Sequence, residues 1–471
     1  MMIVGRRRAI AVQRTGTSGR AGAARPVNAK RPSGPACSAA FLVVLSASLL
    51  AACVLPAGIT SDPGVAARSL ADIQTATRAL AAAHPDLARV VTLGYGGSAS
   101  MPDGDTSLPI LALEIESPTA RARQATGSIP LHVQLVGAFH GDEQIGAEVA
   151  LDVAAAILGS VGTGSIAEGL LRSAILTIVP VANPFGYEAD TRENQAGIDL
   201  NRCFPWPYGW ESGSAPDRTY LGVREALALA QDADAKRYAL SVLLHSGSYC
   251  IAIPWDYIGT TAGGSSTYSL AEYRFRYAPA HPLFVASAAA YKSRVESVAG
   301  SGIFPAIEGY DWYYVGGSYA DWLYGALGCP GYTVELDQSK SWTSRIADEG
   351  KVVVRRHRQA LLELLATAGK GAQGRVLDAA GKGVSARVEA RPTAAGARTL
   401  PAPLPYFAFG LTDASGAFRI TLPEGSWQLV ATAIGTLGLD SATTTTGQPS
   451  GAVDIIVNAT GGSAAVSLTL P

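Results

Sequence analysis

Residues 131–143 read LHVQLVGAFHGDE, and this stretch decides how the rest of the chain is arranged. Leu131 to Phe139 is an apolar run with the length and texture of a buried strand. It stops at once in His140, Gly141, Asp142 and Glu143. Polar residues that follow a buried strand this closely stand at its carboxyl end, where open α/β sheets hold their ligands. His140 and Glu143 are spaced i, i+3, so a helical turn there aims an imidazole and a carboxylate at one point. One neutral nitrogen and one charged oxygen converging in this way suit a zinc ion. Taken alone, H-x-x-E also describes a solvated loop, so the decision falls to the rest of the chain.

The 471 residues suggest two or three domains, and 48% hydrophobic with 16% charged residues is a globular composition with room for a large core. The formal net charge is -1 and no basic stripe follows the N-terminal region, which argues against a nucleic-acid partner. With Gly 52 and Pro 27, the chain holds many turns and is no helical bundle.

Arg6, Arg7, Arg8 and Arg31 precede an uncharged apolar run from Ala39 to Ala52, which closes in Leu50-Ala51-Ala52-Cys53. This resembles a bacterial lipoprotein signal, residues 1–53, with Cys53 as the acylated residue of the mature chain. Such a run is short for a span of roughly 20 residues, so an anchor through lipid is expected over a transmembrane helix. The implied location is outside the cytoplasm, on a membrane. After Cys53 only Cys203, Cys250 and Cys329 remain, an odd number that leaves at least one free thiol. No C-x-x-C is present, which disfavours a thiolate zinc site.

Residues 54–68 are rich in Pro, Gly, Ala and Ser and read as a tether. Ser69 with Asp72 marks a helix start, and Leu70, Ile73 and Leu80 carry it to about Ala83. Val90 to Leu93, Ile110 to Ile115, Ile175 to Val181, Val242 to His245 and Tyr332 to Leu336 read as strands, and a helix follows Glu143 to about Leu158. Apolar strands alternating with helical stretches predict a mixed α/β sheet covered by helices over residues 69–368. Beyond about Gly374 short β-rich segments alternate with Gly, Pro and Asp, which predicts a small all-β sandwich over 372–471.

Six histidines occur in the whole chain. His84, His132, His281 and His357 have surface or packing explanations. His245 ends the apolar strand SVLL and is followed by Ser-Gly, the same kind of position as His140. With Glu143 it completes two imidazoles and one carboxylate, a donor set that leaves a fourth zinc position open. Downstream, NPFGYEADTRENQAGIDLNRCFP (183–205) places Arg192, Asn201 and Arg202 in a loop after a strand end. Arginine grips carboxylates through paired hydrogen bonds, asparagine adds an amide donor, and a second arginine near a metal stabilises an oxyanion. Glu335 lies in the buried strand YTVEL, where a carboxylate needs either a partner or a role such as general base.

These motifs together resemble the zinc metallocarboxypeptidases of the carboxypeptidase A/E superfamily, peptidase family M14, and among them the regulatory carboxypeptidase E/N/D branch. The resemblance spans about 69–471 and rests on HGDE, NPxGY, TRENxxGxDLNRxFP, LHSG, PWD at 254–256, DWxY at 321–324 and TVEL. The C-terminal sandwich is similar to the transthyretin-like domain of that branch. The family implies one zinc ion per chain held by His140, Glu143 and His245, with Arg192 polarising the scissile carbonyl. It implies Asn201 and Arg202 as the clamp for the substrate's terminal carboxylate, and Glu335 as general base and acid. Tyr313 corresponds to the mobile tyrosine, with Tyr314 as the alternative. Asp256 stands where the basic-specific branch has an acidic group in its pocket for the last side chain.

Phe185, Cys203 and Ser246 depart from that branch's usual Asp, Asn and Gly, which leaves the fine specificity open. The implied activity is removal of one C-terminal residue from peptides or proteins, with a weak preference for Lys or Arg, by a monomer. A cell-wall peptide hydrolase of the same fold is the second reading. An inactive binding module is disfavoured because every ligand and the base are present.

Overall fold

The computed structural model describes residues 68–97, 107–125, 128–205, 222–256, 278, 280–313, 315–340, 347–393, 408–434, 445–457 and 464–470. The lipoprotein signal with Cys53, the tether as far as residue 67, and Tyr314 lie outside the described residues.

The chain begins with α1 (Leu70–Ala83), β1 (Ala88–Tyr95), β2 (Pro109–Glu116), α2 (Pro118–Ala125), β3 (His132–Val136), α3 (Ile145–Leu158), α4 (Ile166–Ser173), β4 (Ile175–Val179) and α5 (Pro184–Ala189). It continues through α6 (Arg224–Lys236), β5 (Leu240–His245), β6 (Cys250–Ile253), α7 (His281–Ala299), β7 (Ala306–Glu308), α8 (Gly309–Trp312), α9 (Tyr319–Leu327), β8 (Gly331–Glu335) and α10 (Ala347–Ala366). Ser69 caps α1 reciprocally with Asp72, and the buried face is Leu70, Ile73, Ala76, Thr77 and Leu80. That spacing is the one the sequence carries.

The eight strands form one mixed sheet in the order β1-β2-β4-β3-β5-β8-β6-β7. Its centre, β4-β3-β5-β8, is parallel, while β1, β2 and β6 each meet a neighbour antiparallel. Every residue of β4, β5 and β8 is buried, which fits strands covered on both faces by helices. Each buried Leu, Ile or Val there contributes about 1.5–3 kcal/mol. The connection from β3 leads through α3 to β4 on one side, whereas β5 pairs with β3 on the other. The strand order therefore reverses between β3 and β5, and a crevice opens beyond their carboxyl ends.

β3 ends at Val136, three residues short of the apolar run that suggested it. Ala138 takes a positive φ of 41, and a side chain on Gly137 would strike the carbonyls of Gly146 and Pro180. The backbone turns there, before Phe139, and an alanine at positive φ stores strain of order 1–3 kcal/mol beside the site.

From Gly371 on, the regular elements among the described residues are all strands. They are β9 (Gly371–Leu377), β10 (Ala386–Pro392), β11 (Ala408–Leu411), β12 (Ala417–Thr421), β13 (Gly425–Ile434), β14 (Thr445–Pro449), β15 (Val453–Val457) and β16 (Ala464–Thr469). A five-stranded sheet runs β11-β10-β13-β14 with β15 on β13, and a three-stranded sheet runs β12-β9-β16. This part packs directly on the first. Phe409, Leu411 and Ile434 share an apolar cluster with Leu323, Leu327 and Cys329, and the Phe409 carbonyl lies against Gly328. Arg419 donates to the carbonyls of Pro130 (2.9 Å) and Ile129 (2.6 Å), and Thr421 Oγ1 donates to Ala239 (2.8 Å).

The three cysteines at 203, 250 and 329 are all buried and free. His357, in the basic run RRHR, is fully buried between Tyr291 (2.8 Å) and the Leu336 carbonyl (3.1 Å).

Candidate metal centre

The turn after β3 puts His140 and Glu143 face to face, with Glu143 N bonded to the His140 carbonyl at 3.2 Å. It is a tight turn ahead of α3 and not part of the helix, yet the i, i+3 spacing serves the expected purpose. Gly141 permits a close crossing, because a side chain there would collide with the backbone of Gly186 and Tyr187. The HGDE turn and the NPxGY helix α5 thus meet backbone to backbone. His245 enters from the end of β5, and Glu335 from the end of the adjacent β8, in register with it.

His140 Nδ1 stands 2.9 Å from Glu143 Oε1, and His245 Nδ1 stands 2.8 Å from Glu143 Oε2 and 3.2 Å from His140 Nδ1. The three residues are 3%, 1% and 2% exposed. Two Nδ1 atoms and a carboxylate aimed at one another, away from water, make an odd hydrogen-bonded cluster and a sound donor set. Donors held about 2.0 Å from a tetrahedral zinc stand roughly 3.3 Å apart. The observed spacings come within about half an ångström of that figure, so the residues fit the metal.

The charges follow from this packing. Burial opposes ionisation of Glu143, but the two imidazoles and their hydrogen bonds hold its carboxyl well below the usual range. Burial also opposes charging His140, which Glu143 and Asp199 nevertheless push up. His245, sealed from water and facing His140, is pushed down. Burial and the neighbouring Glu143 lift Glu335 to about 8. Among the described residues, Glu335 Oε2 and His245 Nε2 are buried without a hydrogen-bond partner.

Asp199 is the residue the sequence reading overlooked. Its Oδ1 meets His140 Nε2 at 3.1 Å, and its Oδ2 accepts from Arg192 Nε at 2.9 Å. Although burial works against it, His140, Arg192 and Arg202 hold its carboxyl far below the usual range. A carboxylate on the far nitrogen of a ligating histidine fixes the ring and its tautomer. The signal was present in D-L-N-R, directly before the expected clamp.

Arg192 points its NH1 toward the same cluster, 3.5 Å from Glu143 Oε1. Asn201 is buried; its Oδ1 accepts from Tyr319 N at 3.0 Å, which leaves its Nδ2 as the donor it can offer. Arg202 NH1 donates to the Asn201 carbonyl (2.9 Å), beside the cleft and not in its lining. Asp256 is buried in the lining of the cleft, with Ser318 Oγ donating to its Oδ2 and the Asp321 carboxylate accepting from its N at 2.9 Å. Burial raises its carboxyl to about 6, partly offset by the Ser318 bond and by Arg202. Tyr313, 44% exposed, stands at the mouth with its ring edge-on to Trp312. Arg192, Asn201, Asp256, Trp312 and Tyr313 line one cavity of about 100 Å³ with the three donor residues, Glu335 and Lys340.

Comparison with known proteins agrees with this architecture. The family profile Peptidase_M14, zinc carboxypeptidase, matches residues 73–352. Carboxypeptidase SOL1 of Arabidopsis thaliana is 29% identical over 248 residues, covering 51% of this chain and 46% of the relative. Carboxypeptidase D of Anas platyrhynchos is 28% identical over 262 residues, covering 54% of this chain and 18% of the relative. The chain thus spans less than half the length of these curated relatives. A crystal structure of thrombin activatable fibrinolysis inhibitor shares the fold at a TM-score of 0.50 and 18% identity, covering 64% of this chain and 74% of that one. With a family match over more than half its length and the donor set intact, the chain belongs to the zinc carboxypeptidases of Peptidase_M14.

Proposed function

We propose that the chain is a zinc-dependent carboxypeptidase that removes the C-terminal residue of peptides or proteins, with His140, Glu143 and His245 as the zinc ligands. The observation that carries this reading is the convergence of His140 Nδ1, Glu143 and His245 Nδ1 beside Glu335, whose Oε2 is buried without a hydrogen-bond partner among the described residues. Zinc held there supplies Lewis-acid polarisation of a carbonyl and a more acidic water. Glu335, in register with His245, is placed to take the proton from the attacking water and to return it to the leaving amine. Arg192 faces the donor set and offers positive charge to a developing oxyanion. The Asn201 amide, with Arg202 behind it, binds the terminal carboxylate, which makes the enzyme act at chain ends. Tyr313 at the mouth covers the bound end.

Asp256 closes the pocket for the leaving side chain and favours Lys or Arg there. The same reading places the enzyme outside the cytoplasm, as a monomer held to a membrane by lipid on Cys53. Among the described residues no helix is long and apolar enough to cross a membrane. The catalytic part is taken as 69–368, and the sandwich over 372–471 is taken as transthyretin-like.

The test is a purified preparation assayed for bound zinc and for cleavage of peptides with free or amidated C-termini. Zinc near one per chain, cleavage lost on chelation and no cleavage of amidated ends are expected. Efficient cleavage of amidated peptides would sink the exopeptidase reading.

A further inference from the structure

Lys340 has no part in the roles above, yet it reaches into the same cleft. It sits in the turn after β8, where Ser339 N donates to Asp337 Oδ1 (2.9 Å) and Gly247 N donates to the Asp337 carbonyl (2.7 Å). The lysine stem crosses Gly247. A Cβ on that glycine would stand 2.6 Å from Lys340 Cε and 2.9 Å from Cγ, and its φ of +114 disfavours a side chain as well. The stem is therefore seated in a track only glycine leaves open, and the ammonium comes to 2.9 Å from Glu143 Oε1 and 3.9 Å from Asp142 Oδ2.

Two features make this more than a counter-ion. Glu143 is already served by two imidazoles, the Ser246 N–H (3.2 Å) and Arg192, and it would share the same carboxylate with zinc when the metal is bound. The ammonium is then surplus to Glu143, and at 43% exposed its side chain has room to move. Its position also differs from that of the pocket. Asp256 keeps company with Gly309, Ser318 and Asp321, whereas Lys340 keeps company with Gly247, Asp142 and Glu143. With the leaving residue toward Asp256, Lys340 lines the same cavity beside the donor residues and apart from the Asp256 contacts, where the residue before the scissile bond would lie.

Resting on the proposed carboxypeptidase activity, we infer that Lys340 is a specificity residue that recognises a carboxylate on the residue just before the scissile bond. A cation at a half-open rim favours Glu or Asp there and repels Lys, more strongly at low salt.

The test uses the zinc-loaded full chain and peptides that share one C-terminal residue and carry Glu, Ala or Lys before it. Cleavage of the Ala peptide tests the activity, and the Glu-to-Lys ratio tests the inference. A ratio in kcat/KM of roughly fivefold or more is expected, collapsing to within about twofold in Lys340→Met and kept in Lys340→Arg. Zinc affinity, measured by chelator competition, should be equal or tighter in Lys340→Met. A wild-type ratio near one, a ratio that persists in Lys340→Met, or weaker zinc binding in that variant would overturn the assignment.

Discussion

The two ends of the same three strands, β3, β5 and β8, are built on opposite principles. Their carboxyl ends gather His140, Glu143, His245 and Glu335, four titratable side chains buried together, with His245 Nε2 and Glu335 Oε2 lacking a hydrogen-bond partner among the described residues. Their starting ends are gripped by the sandwich through neutral carbonyls and apolar side chains, Arg419 and Thr421 on the backbone and Phe409 on Gly328. Desolvated carboxylates and imidazoles cost stability unless something binds them, whereas the opposite end supplies it. The contrast teaches where stability and chemistry are separately held, and substitutions can set the two ends against each other.

The largest expected effect is at the chemical end. His140→Ala or His245→Ala should lose stoichiometric zinc and all measurable turnover, because two remaining ligands do not hold an open tetrahedral site. Zinc retained in either variant would remove that histidine from the ligand set. Glu335→Gln should keep zinc and fold while turnover falls about 10²–10⁴-fold, the worth of a positioned general base. Turnover near that of the wild type would leave Glu335 a structural carboxylate.

Asp199→Asn tests the support behind His140. Zinc affinity should fall about 10–100-fold, with the fold retained. An unchanged affinity would show that Arg192 and Arg202, not His140, are what Asp199 serves.

Acid should blunt selectivity around Asp256. The Asp256 carboxyl is raised to about 6, so it is charged above that pH and neutral below it. The preference for Lys-ending over Phe-ending peptides should therefore fall, by roughly tenfold between pH 7 and pH 5. A ratio flat with pH would place the Asp256 charge outside recognition.

The smallest change in activity belongs to the other end. Phe409→Ala should cost about 3–5 kcal/mol in denaturant unfolding. Turnover of the folded protein should stay within about threefold, since well-separated sites behave independently. A large loss of turnover at full folding would break the comparison and tie the sandwich to catalysis.

The residues that meet in the cleft could be picked out in the sequence because His140, His245 and Glu335 each follow an apolar run, and Glu143 follows His140 by three. An apolar run that breaks off in a polar residue points to the end of the sheet and to the crevice beyond it. What stayed hidden depends on contacts between distant segments. Asp199 on His140, Ser318 on Asp256 and Lys340 on Glu143 have no local pattern, and only the fold brings them together. The end of β3 was misplaced for a related reason: packing against Gly146 and Pro180 turns the chain at Gly137, although Ala138 and Phe139 remain apolar and buried. Arg202 followed the motif but packs beside the cleft, a side-chain choice that sequence does not encode.

The crossing of Gly141 over Gly186 has a consequence for how this site can be altered over generations. Neither glycine has space for even a methyl group: at Gly141 it meets the backbone of Gly186 and Tyr187, and at Gly186 it meets Asn183 and the carbonyls of Thr191 and Glu193. A substitution at one has no small compensating change at the other, because both are already the smallest residue. The turn that carries the first histidine and the helix that leads to the arginine loop are therefore heritable as one block, and a drift in specificity must come from residues that surround the block.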